Sequence, residues 1–122
     1  MMIIGRGSDL ADRTKRFALD VIRLYSRLPK STEAQVIGRQ MLRSGTSVGA
    51  QYREAIRAKS VADFINKVEG SLQELEETQY WFELLDEVKI AMDAARLKSL
   101  MKEADELTAI LVASVRTAKR NR

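Results

Sequence analysis

Apolar residues recur along most of this chain at three- and four-residue spacing, which is the signature of amphipathic helices. In the first segment Leu10, Phe17, Val21, Leu24 and Leu28 share one face from about Asp9 to Leu28. Pro29 ends that helix, because the residue before a proline is disfavoured in the helical region. Ser31 or Thr32 then offers a cap for a second helix with Glu33 in its first turn. Ala18, Ile22 and Tyr25 widen the first apolar arc beyond what one neighbouring helix covers, so a second helix or another subunit is expected against it.

The second helix is predicted from about Glu33 to Ala58, with Ile37, Met41, Ser44, Val48, Tyr52 and Ala55 inward. Gly38, Gly45 and Gly49 fall on or beside that face. A helical glycine costs roughly 1 kcal/mol relative to alanine, so their clustering points to close approach of another backbone or a local irregularity near Gly45.

Ser60 followed by Asp63 reads as a capping box opening a third helix, whose stripe is Val61, Phe64, Val68, Leu72, Leu75 and Phe82. Tyr80, Trp81, Leu84 and Leu85 make its end apolar almost all round, which calls for burial on several sides. After a break near residues 90–93, Leu97, Leu100, Ala104, Leu107, Leu111 and Ala118 define a fourth helix. The expected fold is all-α: one domain over residues 1–122, an antiparallel up-and-down four-helix bundle with a flexible arm at 1–8 and a frayed basic tail at 117–122.

Composition agrees with this reading. Aromatics are 6% of 122 residues and there is one proline, which favours helices over a sheet. No cysteine is present, and neither a secretory signal nor an apolar run long enough for a bilayer is seen. A cytoplasmic protein with no membrane association is expected.

The net charge of +4 hides a stronger polarity. Residues 1–59 carry a net +7, residues 60–93 a net −7, and residues 94–122 a net +4.

Candidate chemistry is sparse. Without histidine the commonest general base, nucleophile activator and metal ligand are all missing. The Glu-x-x-His pairs of di-iron bundles, the Arg and His dyad of small helical ribonucleases, and Ser-His or Cys-His nucleophiles are thereby excluded. The stretch Gly45-Thr46-Ser47-Val48-Gly49 lacks the lysine and the preceding strand of a phosphate loop. Glu69, Glu76 and Glu83 lie seven apart on one flank of the third helix, a spacing better suited to ion pairing with a basic helix than to a divalent cation. No catalytic residue, cofactor or metal site is assigned, and the chain is read as non-enzymatic.

The suggestive polar feature is basic. Arg39, Arg43, Arg53 and Arg57 fall within about 80° of one another on a helical wheel, and Arg13, Arg16, Arg23 and Arg27 share a sector of the first helix interrupted by Asp20. Arginine suits phosphate, since its planar fork donates two hydrogen bonds and stays charged. Two readings stand together here: a cationic surface, or arginines paired with Glu69, Glu76, Glu83 and their neighbours. The C-terminal Arg116, Lys119, Arg120 and Arg122 meet fewer acids and suit non-specific attraction to nucleic acid. No aromatics are interleaved with them, so base stacking is not supported.

The run Gln40-Met41-Leu42-Arg43-Ser44-Gly45-Thr46-Ser47-Val48-Gly49-Ala50-Gln51-Tyr52-Arg53-Glu54-Ala55 resembles a bacterial four-helix-bundle family typified by proteins encoded in intervening sequences of large-subunit ribosomal RNA genes. Leu28-Pro29, Ser60-Val61-Ala62-Asp63-Phe64 and the stretch from Glu76 to Leu85 match its pattern too, so the likeness spans about residues 15–88. Gln51 stands where that pattern usually has Asn. The resemblance implies an antiparallel bundle assembling into a homopentamer, with no catalytic residues to carry over. A related bundle, the accessory variability determinant of diversity-generating retroelements, is a basic pentamer that binds nucleic acid and a reverse transcriptase.

The expected function is therefore a homo-oligomeric bundle binding structured RNA or DNA through Arg39, Arg43, Arg53, Arg57, Arg116, Lys119 and Arg120. The alternative is an oligomeric scaffold for a protein partner, with the arginines used in ion pairs.

Overall fold

The computed structural model describes residues 4–90 and 93–122, with side chains from Asp9 onward. Four helices follow in order: α1 Ile4–Ser26, α2 Thr32–Ala55, α3 Val61–Val88 and α4 Ala94–Arg120. They pack in a closed square, each against its neighbours in sequence and α1 against α4, with α1 diagonal to α3 and α2 diagonal to α4. Cross-helix pairs fix the antiparallel sense throughout. Ser71 meets Val48 and Thr78 meets Ser44 between α2 and α3, while Arg13 meets Glu103 and Arg96 meets Asp20 between α1 and α4.

Local chemistry sets the helix ends. Ser31 Oγ accepts a hydrogen bond from Ala34 N at 3.4 Å, and Ser60 Oγ accepts one from Asp63 N at 3.0 Å, each satisfying an amide that the helix itself leaves unpaired. The Asp93 carboxylate caps α4 through Arg96 N at 3.1 Å. α3 ends in Lys89, whose φ of 57° is left-handed, the conformation that turns a helix end back on itself.

The core follows most of the predicted stripes: Leu10, Phe17, Val21, Leu24, Met41, Val48, Tyr52, Phe64, Val68, Leu75, Phe82, Leu97, Leu100, Leu107 and Leu111 are buried, whereas Ile37, Val61, Leu72 and Ala118 are half-buried at the edge of the core. Phe17 and Phe82 meet edge-on across the diagonal between α1 and α3, ring centroids 6.2 Å apart, a favourable arrangement of ring quadrupoles. Ile65 and Val115 are buried as well, beyond the stripes read from the sequence.

Gly45 explains the tight α1/α2 side. A Cβ built there would stand 2.9 Å from Val21 Cγ1, so the two backbones approach more closely than alanine permits, and α2 stays regular through the glycines. Between α2 and α3 the small side chains are hydroxyls. Ser71 donates to Val48 O at 2.8 Å, and the Ser44 and Thr78 hydroxyls lie 2.7 Å apart. No buried side-chain nitrogen or oxygen among the described residues lacks a partner, so this ladder avoids the cost of unpaired polar groups.

Both termini differ from expectation. The arm expected over residues 1–8 is helical from Ile4, and residues 1–3 lie outside the described residues. Extending an existing helix avoids the nucleation cost, which offsets the poor propensity of Gly5 and Gly7. The tail expected to fray from residue 117 stays helical to Arg120, with Arg96, Lys98 and the rest of α4 in one continuous segment. Lys119 and Arg120 in the last turn complement the negative end of the helix dipole.

Candidate nucleic-acid interface

The α2 arginines lie on the helix side opposite the core. Arg39, Arg43 and Arg53 of α2 are exposed, along a ridge broken in its middle by the small residues Thr46 and Ala50, and Arg57 is exposed in the turn that follows, since α2 ends at Ala55 and not at the expected Ala58. The sequence places them there because the inward stripe Met41, Val48, Tyr52 and Ala55 fixes the rotation of α2.

Their electrostatic situations differ. Arg43 reaches across to α3, donating to Glu77 and, at 3.3 Å, to Glu74. Trp81 Nε1 donates to the same Glu77 oxygen at 2.9 Å. The Arg43 hydrogen bond and then that of Trp81 hold the Glu77 carboxyl below its ordinary pKa, while Glu77 raises the pKa of Arg43. Arg39, Arg53 and Arg57 have no ion-pair partner among the described residues.

Of the acids expected against this ridge, the neighbours Glu74 and Glu77 engage it, at Arg43, and the three named acids do not. Glu69, Glu76 and Glu83 lie on the flank of α3 away from α2, and Glu69 pairs instead with Lys119 of α4 at 3.5 Å. Glu74 and Glu77 occupy the α2 side, where Ser71 and Thr78 also point. Seven-residue spacing identified a common flank of α3, but which flank faces α2 depends on how the bundle closes.

The basic arc of α1 is divided in the same way. Arg13 turns toward α4, holding Glu103 with two hydrogen bonds of 2.7 and 2.8 Å and Glu106 with one of 2.9 Å. Those bonds raise the Arg13 pKa further above its ordinary value. Together with Arg96–Asp20 at 3.1 Å this clamp spans the α1/α4 side. Arg23 pairs with Asp20 at 3.0 Å within α1, and Arg16 and Arg27 remain exposed without a pair among the described residues.

The tail residues Arg116, Lys119 and Arg120 are exposed at the end of the bundle that also carries Arg53 and Arg57, because α2 and α4 both finish there. The two groups share an end but not a face, since α2 and α4 are diagonal. Of the seven cations predicted as a site, Arg43 and Lys119 are engaged by carboxylates, and Arg39, Arg53, Arg57, Arg116 and Arg120 have no such partner among the described residues.

No cluster of three carboxylates capable of holding a metal occurs among the described residues, and no helix is long and apolar enough to cross a membrane. An open polar depression of about 420 Å³ lies over Gly70, lined by Gln51, Glu54, Asn66, Lys67, Glu69 and Gln73. The Gln51 side chain lies where a residue larger than glycine at position 70 would begin, so the longer Gln in place of the pattern's Asn is accommodated there.

These features define an all-helical bundle with an arginine ridge on one corner and a basic end. The chain belongs to the 23S rRNA-intervening sequence protein family, whose sequence pattern it matches over residues 7–113. It is similar to a crystal structure from Bacteroides thetaiotaomicron, described as a protein with unknown function from the S23 ribosomal protein family. The two share 35% sequence identity over 90% of this chain and 97% of that one, with a TM-score of 0.81. No curated protein matches the chain.

Proposed function

We propose that this chain is a cytoplasmic, non-enzymatic bundle protein that assembles with itself and binds structured RNA or DNA through arginine–phosphate contacts. The observation carrying this reading is that Arg39, Arg53, Arg57, Arg116 and Arg120 are exposed yet unpaired among the described residues, four of the five at one end of the bundle. Arginines with no carboxylate to satisfy them retain their full capacity for bidentate contact with phosphate. Nothing in their arrangement reads base edges, so the binding is to backbone charge and shape. Assembly as a homopentamer, the state implied by the resemblance, would repeat the set in every copy and add weak contacts through multivalency.

The test is a fluorescence-anisotropy titration of labelled structured RNA at several salt concentrations. Affinity should fall steeply with salt, as expected when several phosphates release counterions. Arg53→Ala with Arg57→Ala should weaken binding and flatten the salt slope, whereas Arg43→Ala should change it little. No binding at low salt refutes the reading.

Binding to a protein partner as a scaffold is the second reading. It is favoured by Arg43 and Lys119 being spent on internal carboxylates and by exposed apolar side chains near the opposite end.

A further inference from the structure

Large apolar side chains remain exposed in two places in the half of the bundle away from the basic end. On α3, Tyr80 is 52% and Val88 56% exposed, with Leu84 half-buried between them and Val36 of α2, 51% exposed, at the same level. On α1, Leu19 is 38% and Ile22 45% exposed, beside the half-buried Ala18 and Tyr25. Helices α1 and α3 are diagonal, so these are separate surfaces of one chain.

Their surroundings carry opposite charge. The α3 patch is flanked by Glu76, Glu83 and Glu87, all exposed and without an ion-pair partner among the described residues. The α1 patch is flanked by Lys15 and Arg16, also exposed and unpaired in the same sense, and by Arg23. Apolar side chains flanked chiefly by acids on one surface, with Lys89 the one base beside Val88, and by bases on the other form a complementary pair. Two like copies of either surface would oppose like charges.

From this we infer that the α3 surface of one copy docks on the α1 surface of the next, in a head-to-tail interface that uses Tyr80, Leu84 and Val88 against Leu19 and Ile22. This rests on the self-assembly part of the function proposed above and supplies the surfaces that perform it. A head-to-tail interface closes into a ring when successive rotations return to the start. Both surfaces lean toward the same corner of the square. Tyr25, next to Ile22, lays its ring against Gly38 of α2, while Trp81, next to Tyr80, shares Glu77 with Arg43 of α2. Subunit faces that lean toward a common corner make a wedge, and the point of the wedge turns to the ring axis.

That corner is α2. The ring therefore brings the ridge of Arg39, Arg53 and Arg57 from every copy around a central axis, spaced from one another by Thr46 and Ala50. The unpaired acids of α3 and bases of α1 are consumed between copies, and the arginines left over face the lumen. A polyanion at the axis would meet all copies of the ridge at once.

The interface is tested with two complementary variants at equal concentration in sedimentation velocity. One carries Leu19→Asp and Ile22→Asp, the other Tyr80→Asp and Val88→Asp, all at exposed positions. The wild type should sediment as one closed species larger than a dimer. Each variant alone should be monomeric, with the wild-type helical circular dichroism, and an equimolar mixture should give a heterodimer and nothing larger, because one intact surface remains on each. Should either variant be poorly folded, Glu76→Lys, Glu83→Lys and Glu87→Lys together, and Lys15→Glu with Arg16→Glu, serve instead: each abolishes assembly alone, and mixing restores species larger than a dimer, because the two reversed surfaces complement each other as the two unreversed ones do. Assembly surviving in either variant, one variant dimerising by itself, or no pairing on mixing would overturn the interface while leaving self-assembly standing. A monomeric wild type would overturn both, and nucleic-acid binding is read separately from the anisotropy titration.

Discussion

Replacing Gly45 with alanine tests the close approach of α1 and α2. A Cβ at that position would lie 2.9 Å from Val21 Cγ1 and 3.0 Å from Cγ2. Ordinary carbon contacts are about 3.5–4.0 Å, so the interface must open by roughly 0.5–1 Å. Val21 is fully buried and, being β-branched in a helix, has one strongly preferred rotamer, so it cannot swing aside. Overpacking of this kind costs about 1–3 kcal/mol, against a helix-propensity gain of about 1 kcal/mol for losing the glycine. The expected net is a destabilisation of about 1 kcal/mol.

Gly70→Ala is the matched control. There the added Cβ meets only the far end of the flexible, half-buried Gln51 side chain, which can rotate away, so the propensity gain of about 0.5–1 kcal/mol should survive. Urea denaturation followed by circular dichroism, at one fixed protein concentration because assembly adds to stability, measures both. Val21→Ala should cost about 2 kcal/mol in the wild type and about 1 kcal/mol less in the Gly45→Ala background, where the new methyl fills the vacated space. Equal stabilisation by both alanines, or strict additivity with Val21→Ala, would refute the packing account.

Three further outcomes follow from local geometry. Ser60→Ala removes the acceptor for Asp63 N and should lower stability by about 1 kcal/mol in the same denaturation assay. Lys89→Gly relieves a side chain held at φ 57° and should raise the urea midpoint, by an amount corresponding to about 0.5–1 kcal/mol. The Glu77 carboxyl is held below its ordinary value of 4.5 by Arg43 and Trp81, so its contribution is present above that pH and is lost as the pH falls through its lowered folded value. Urea midpoints measured across this acid range should therefore show a shallower decline in Glu77→Gln than in the wild type, an effect kept small by the exposure of Arg43.

Much of the fold was legible because each helix states its own inward face. Of the stripe Val61, Phe64, Val68, Leu72, Leu75 and Phe82, the four residues nearest its centre line are buried, and Val61 and Leu72 at its margins are half-buried. Pro29 and the Ser60 cap mark boundaries through interactions only a few residues long. The exposed positions of the α2 arginines were equally legible, since they lie opposite Met41, Val48 and Tyr52 on the same helix. Val36 and Val88 were missed as exposed apolar residues, although Val88 continues the line of Tyr80 and Leu84 at helical spacing.

The charge partners were not legible. Segment charges of +7 and −7 require neutralisation somewhere, but they do not specify whether Arg43 meets Glu74 and Glu77 or the acids seven apart on the other flank. Nor do they tell that Arg13 turns from the α1 arc toward Glu103, or that Lys119 leaves the tail's charge for Glu69. The sequence alone determined the four helices, the N-caps of the second and third, and most of the buried faces, because those depend on contacts within one or two turns and on a periodicity fixed by backbone geometry. Which long side chains become paired, and which arginines remain unpaired, was decided by the tertiary structure. Side-chain ion pairs reach only a few ångströms, so they depend on the rotation and register of one helix against another, which no single helix encodes.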